Sequence, residues 1–398
     1  MPGSRGGGRW FIRAWLVSAL LLLLPASAHA YPWMIRHHYS ACSACHVDPS
    51  GAGVLTAYGR VIEGSVLPAG GDTDPNSEPS TGFLFGLIKT PEQLSLGGEL
   101  RGLWLRTKVP GSQLTDRVIL MQADLQAAVR LSSFVASGSL GYASEGALGA
   151  ALTRGVDNNL VSRQHWLGYA VDSLGLLVRA GRMNLPFGIR TVEHNLWAKS
   201  LTRTTINDDQ QYGAALAITG EKLRGELMAI IGNFQLRPDD YRERGYSGYL
   251  EWAALPDLSI GASSLITHRQ LDTATLKETW RQSHGVFGRW ATGFEPLVLQ
   301  TEWDYVFVSS RDEYYRRGPV AFLQADLEVS KGMHWLFTAE TNHVGSQQSF
   351  WGHGGWLSYW WFFAPHADLR LDGIYQSLGS LNGRYGAYSV LLQGHISL

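Results

Sequence analysis

The most regular signal along this chain is a period of two. Gln122, Asp124 and Gln126 alternate with Met121, Ala123 and Leu125, and Gln300, Glu302 and Asp304 oppose Leu299, Trp303, Tyr305 and Phe307. The pattern recurs as Gln324, Asp326 and Glu328 against Leu323, Ala325 and Leu327, and as Asp368, Arg370 and Asp372 against Leu369 and Leu371. Alternation of this kind predicts strands with one polar and one apolar face. About sixteen such segments lie between Glu92 and Leu398, the last of them at 388–398, and this count falls within the range of outer-membrane barrels. A soluble sandwich also alternates, so the connections decide. Those at 172–175, 219–222, 255–257, 292–295 and 330–332 are short, whereas 144–159, 185–210, 235–245, 268–278, 309–318 and 343–352 are long. Short periplasmic turns with long external loops give that asymmetry in a barrel. The expected fold is all-β: a transmembrane barrel of about 16 antiparallel strands at 92–398, with its chain entry on the periplasmic side.

What precedes the strands reads differently. Arg5, Arg9 and Arg13 lead into an apolar run that includes Leu20 to Leu24, followed by Ala28-His29-Ala30. This is the layout of a secretory signal peptide over residues 1–30, with the mature chain starting at Tyr31. The run is short for a membrane span, and nothing downstream resembles a transmembrane helix. Residues 31–67 form a separate segment, and 68–91 is a linker opening on a Gly-, Asp-, Pro- and Ser-rich stretch. Composition agrees with β structure: 11% aromatic residues, 46 Gly and only 17% charged residues. With 33 basic and 34 acidic residues, nothing points to a nucleic-acid partner. Acidic pairs such as Asp208-Asp209 and Asp239-Asp240 fall in the long loops.

The chain has two cysteines, and both belong to Cys42-Ser43-Ala44-Cys45-His46. In an exported protein the default is a disulfide, yet C-x-x-C-H is the attachment signal of c-type haem. Two thiols at that spacing each form a thioether with a haem vinyl group, and the next residue, His46, supplies the proximal imidazole to the iron. A zinc site lacks the second Cys/His pair it needs, and a thioredoxin-like motif lacks its βαβ setting. One covalent haem c is therefore the expected cofactor. For the opposite side of the iron, no Met lies between Met34 and Met121, so the usual downstream Met is missing. His37 and His38 are the nearest candidates. His334, which shares a strand face with Leu336, Glu340 and Asn342, is a third, placed in the lumen near the periplasmic mouth. Residues 31–67 are too few to wrap a haem alone, so another part of the chain must enclose it.

A leader, one C-x-x-C-H near the mature N-terminus and a single barrel together resemble the fused monohaem cytochrome–porins of iron-oxidising bacteria. Arg179-Ala180-Gly181-Arg182-Met183-Asn184-Leu185-Pro186-Phe187-Gly188 is also similar to a stretch in many porins, a strand rising into a long external loop. The resemblance implies electron transfer across the outer membrane, from an external donor such as Fe(II) to a periplasmic carrier such as a soluble cytochrome, or the reverse. As an enzyme the chain would be at most an Fe(II)-oxidising cytochrome. The competing reading is a diffusion porin with a haem-containing plug. A gas or peroxide sensor is disfavoured because no acid–base pair stands out.

Overall fold

The computed structural model describes residues 32–37, 39, 41–70, 82–143, 159–193, 195–207, 209–232, 242–272, 276–311, 315–345, 350–380 and 383–398. The leader at 1–30, His38, Asp208, Asp239, Asp240 and most of the Gly/Asp/Pro stretch lie outside them. Seventeen strand segments occur among the described residues: β1 (Leu94–Lys108), β2 (Thr115–Leu131), β3 (Phe134–Ala143), β4 (Asn159–Val161), β5 (His165–Val171), β6 (Leu176–Met183), β7 (Gln211–Thr219), β8 (Leu223–Gly232) and β9 (Arg244–Leu255), then β10 (Leu258–Arg269), β11 (Thr279–Ala291), β12 (Leu297–Ser310), β13 (Tyr315–Ser330), β14 (Met333–Asn342), β15 (Gly352–Ala364), β16 (Ala367–Ser380) and β17 (Gly383–Ser397).

Each strand pairs antiparallel with its sequence neighbour, and β1 pairs with both β2 and β17, so the sheet closes on itself. β4 and β5 both pair with β3 and are two halves of one crossing, which makes a sixteen-strand barrel. The break between them has a local cause. The Ser139 hydroxyl accepts hydrogen bonds from the Arg163 and Gln164 amides, 3.1 and 3.0 Å long, and Arg163 turns inward onto Asp124. Closure satisfies every strand edge, the condition for spanning a bilayer with sheet.

The two faces are inverted relative to a soluble protein. Gln126, Glu302, Asp326 and Arg370 are buried, while Leu125, Trp303, Leu323 and Leu371 are exposed. Exposed aromatics gather near both strand ends: Trp252, Trp290, Trp361 and Phe363 by the short turns, and Tyr246, Trp280, Tyr385 and Tyr388 toward the other rim. An apolar outer band between two aromatic girdles is the surface of an outer-membrane barrel. With the short turns on the periplasmic side, an epitope inserted within 309–318 should be labelled on intact cells. One inserted at 219–222 or 292–295 should be labelled only after lysis. Labelling of the second pair on intact cells would reverse the orientation.

The lumen is filled from two directions. From the short-turn end, residues 32–70 enter it as two 3-10 turns (Pro32–His37 and Cys42–Ala44) and a helix, α1 (Ala57–Ser65). Trp33, Met34 and Ile35 pack against Val298, Leu336, Trp360 and Phe362 of the wall, so the barrel supplies the apolar wrapping this short segment lacks. From the other end, the connection after β6 folds inward, which corrects the expectation of an external loop at 185–210. Phe187, Ile189 and Leu196 are fully buried, and a short helix, α2 (Trp197–Thr202), lies inside. The reason is a pair of wall carboxylates in need of donors. Glu302 accepts from the Ile189 amide (2.6 Å) and from Lys199 (2.6 Å), and Glu340 accepts from the Trp197 amide (2.8 Å). Gly188 sits at φ +57, and a Cβ there would collide with the Glu302 carboxylate. The short/long alternation fails twice: residues 311–314 alone join β12 to β13, where a long loop was expected at 309–318, because the β12–β13 pairing runs on to Ser309 and Tyr315, and residues 381–382 alone join β16 to β17.

Candidate cofactor site

Cys42–Ala44 makes one tight turn, closed by the Cys45 and His46 amides, which both donate to the Cys42 carbonyl at 3.2 and 3.0 Å. No disulfide joins Cys42 and Cys45. Burial pushes the Cys42 thiol up, with Arg289 and Arg190 opposing it only in part. A thiol shifted upward is unlike the exposed low-pKa thiolate of a redox-active pair.

After the motif the chain runs out and returns. The Val47 amide donates to the Val54 carbonyl (3.1 Å), and the Thr56 amide donates to the Cys45 carbonyl (2.8 Å). This hairpin places the Gly53 carbonyl 3.1 Å from His46 Nδ1. A carbonyl only accepts, so Nδ1 carries the proton and Nε2 keeps its lone pair. Burial lowers the His46 pKa and the Gly53 hydrogen bond opposes it; the net shift is downward, which favours the neutral, ligating form. Nε2 has no hydrogen-bond partner among the described residues, and His46 lines a cavity.

The Thr56 hydroxyl caps α1 by accepting from the Gly59 amide at 3.0 Å. The helix then lies so close to the motif that a Cβ on Gly59 would collide with the Cys45 carbonyl. A colliding backbone atom cannot rotate aside, so Gly59→Ala should cost toward the top of the roughly 1–3 kcal/mol range for overpacking. Reduced yield of folded, heat-modifiable barrel in that variant is the expected outcome. Unchanged yield would mean the helix has room to shift.

The cavity occupies the short-turn half of the lumen, with a volume of about 150 Å³. Trp33, Met34, Leu55, Ile62, Leu336 and Trp360 form its apolar walls, and Cys45 and His46 lie on one side. The segment is tied to the barrel on several sides. Asp48 meets Arg179 at 2.5 Å, Glu63 meets His366 at 2.8 Å, and Asn184 donates to Ser50 at 3.1 Å. Arg36 pairs with Glu328 and donates to the Pro296 carbonyl at 3.0 Å. The Ala69 amide donates to the Phe362 carbonyl at 2.8 Å.

The three distal candidates are not gathered at the cavity. His37 lies outside its wall, with Nε2 3.3 Å from Arg36 Nε and 3.7 Å from Glu328. His38 falls outside the described residues. His334 faces inward and is buried, but its Nδ1 is 2.9 Å from Asp326, and its ring stands 4.3 Å from the Trp33 ring, away from the cavity wall. The imidazole that shares the wall with His46 is His395, held between Asp368 (2.7 Å) and Glu99. Register could have found it, because it opposes the apolar face of β17. Met34, upstream of the motif, is buried on the same wall.

No protein-family model matches this sequence, and no curated protein matches it. Solved structures match the fold. OmpT from the outer membrane of Vibrio cholerae aligns with a TM-score of 0.59 at 11% identity, covering 78% of this chain and 100% of that one. An anion-selective porin from Comamonas acidovorans aligns at 0.57 and 12% identity (77% and 99%), and the outer membrane channel DcaP of Acinetobacter baumannii at 0.56 and 11% (78% and 99%). At these identities the likeness concerns the fold, which is that of the bacterial outer-membrane porins.

Proposed function

We propose that this chain carries one haem c in the lumenal cavity, bonded by thioethers to Cys42 and Cys45 with His46 Nε2 as an iron ligand, and that it passes electrons across the outer membrane. The observation that carries this reading is the His46 arrangement: a motif imidazole fixed through Nδ1 by a backbone carbonyl, on the wall of a lumenal cavity with Trp33, Leu336 and Trp360 among its sides. Metal-ligating imidazoles are oriented by such bonds on their second nitrogen. When bound, the haem supplies a reversible one-electron couple whose potential the surrounding protein sets. The chain's own residues fix the ring of His46, keep bulk water out with Trp33, Leu336 and Trp360, and seat the motif on the wall through Asp48 and Arg179. A periplasmic carrier, such as a soluble cytochrome, docks at the short-turn rim in this reading, and an external donor such as Fe(II) approaches from the loop side.

The test uses proteoliposomes with the carrier trapped at the short-turn face. A membrane-impermeant reductant added outside should reduce the trapped carrier only when the haem-loaded barrel is present. Failure with fully haem-loaded protein would remove the electron-transfer role. The second reading, a diffusion porin with a haem-containing plug, is favoured by the fold shared with an anion-selective porin and with the channel DcaP. Planar-bilayer conductance separates the two. The segments 32–70 and 184–207 inside the lumen lead to an expectation of conductance far below that of an open porin, whereas porin-like conductance would favour the plug reading.

A further inference from the structure

We propose that Arg101 and Arg190 are the anchors for the two propionate carboxylates of the haem, an inference that rests on the haem reading above. It comes from the charges that line the cavity. Four carboxylates do so, and each has a basic side chain within ion-pair distance. Glu63 pairs with His366 (2.8 Å), Glu99 with His395, Asp124 with Arg163, and Glu193 with Arg370 (2.7 Å). Of the three guanidiniums on the wall, Arg163 is engaged by Asp124 and also donates to the Asn207 carbonyl at 3.0 Å. The other two make no ion pair among the described residues, although the Arg101 charge does act on Glu99. Arg101, opposite His395 in the β1–β17 register, makes no ion pair or side-chain hydrogen bond among the described residues, and its Nε is buried without an acceptor. Glu99, two residues away on the same strand face, already has its carboxylate on His395.

Arg190 comes from the opposite side of the cavity's makeup, the inward loop. Its Nη1 donates to the Leu185 carbonyl at 2.6 Å and its guanidinium lies 5.7 Å from the Tyr249 ring, but Nε and Nη2 are buried with no acceptor. Buried charged donors require partners. Two guanidiniums with buried donors unsatisfied, on a cavity that also has apolar walls, call for a ligand with an apolar body and two carboxylates, and Arg is the side chain whose planar fork suits a carboxylate. Haem c presents that combination. His46 and Arg101 also share this wall, so the iron and carboxylate ends of one ligand would each meet a group of matching chemistry.

The experiment compares the full-length parental protein with Arg101→Gln, Arg190→Gln and the corresponding Lys variants, all purified from the outer membrane after export. Haem staining on a denaturing gel reports covalent attachment, which depends on the thiols and should persist in all four. Removing a positive charge beside the haem stabilises the oxidised form, so the midpoint potential should fall in each Gln variant and return toward the parental value in the Lys variants. A propionate that loses its guanidinium should also take up a proton more readily. The Gln variants should then show a midpoint that varies with pH where the parental one is flat, and a protonated-carboxyl band in redox-difference infrared spectra. Parental potentials, pH profiles and infrared spectra in both Gln variants would overturn the proposal. So would Gln and Lys variants that shift alike, since a packing role does not distinguish them by charge. A parental protein without haem stain would instead remove the haem reading itself. If one Gln variant fails to fold, the other carries the test: a lowered, pH-dependent midpoint that its Lys counterpart restores supports the proposal, and a parental potential and pH profile overturn it.

Discussion

Cys42→Ala or Cys45→Ala should remove most or all of the haem stain from the denatured protein, with Ser at either position behaving the same way. Only a thioether survives denaturation, and this chain has no third cysteine to substitute for either one. The barrel itself should still assemble, because its closure depends on the β1–β17 pairing and not on the motif. His46→Ala separates attachment from ligation. Both thiols remain, so some stain should persist, but the low-spin spectrum should be lost together with the Nδ1 bond to Gly53. Undiminished stain in both Cys variants would end the cytochrome reading while leaving the barrel untouched. The same spectra address the far side of the iron. Ala substitutions at His37, His38 and His334, together with Met34→Ala, identify that ligand as the one whose loss gives a high-spin, carbon-monoxide-reactive haem. Met34 lies on the cavity wall, and a thioether ligand would show the sulfur–iron charge-transfer band in the oxidised protein.

Arg179→Leu should be among the most destabilising single changes outside the motif. Arg179 is fully buried on β6, with Asp48 at 2.5 Å and Glu226 at 2.6 Å, and both acids are as buried as it is. The Trp166 ring lies 5.3 Å from its guanidinium. Removing the one cation strands two carboxylates in the same dry space, so the cost should reach or exceed the roughly 3–5 kcal/mol seen when a buried pair is broken. Asp48→Asn should be milder, because Arg179 and Glu226 then remain as a balanced pair. Burial raises the Asp48 carboxyl, but Arg179 and the Ser50 hydrogen bonds more than offset this and hold it below its ordinary value. Urea midpoints and the temperature of the gel-mobility shift measure both variants. A larger loss for Asp48→Asn than for Arg179→Leu would show that the charge balance has been misread. Because Asp48 sits two residues after His46, the Arg179 variant should also lower haem yield, which ties the wall of the barrel to the seating of the motif.

Much of the fold could be read from short stretches. The alternation in β2, β12, β13 and β16 is a local property, since inward and outward positions differ in solvent wherever a strand spans the bilayer. The inward positions named from that pattern, Asp124, Glu302, Asp326 and Asp372, are buried in the lumen. One crossing escapes the rule, because Ser139 takes up the amides of Arg163 and Gln164 and splits β4 from β5. The loop at 185–210 escaped it for another reason. Length alone marks it as a loop, but its direction depends on Glu302 and Glu340, which lie on strands more than a hundred positions away.

The candidate site divides in the same way. Cys42, Cys45 and His46 are recognisable because their chemistry depends on spacing along the chain, and a tight turn holds them whatever surrounds it. The partners of that motif are not recognisable from sequence. Arg179 is 131 positions from Asp48, and Leu336, Trp360, His395, Arg101 and Arg190 reach the cavity from four different strands and a loop. Nothing in a period of two says which inward side chains will face each other across a closed barrel, or which charges will already be neutralised when they do. The sequence by itself determined the barrel and its strand count, and it marked Cys42, Cys45 and His46 as the candidate site, because each is written in local spacing. Only the tertiary structure decided that the motif lies inside the lumen, that a loop covers it from the other side, and that two arginines are left facing the cavity, because those outcomes depend on closure bringing distant strands into one low-dielectric space.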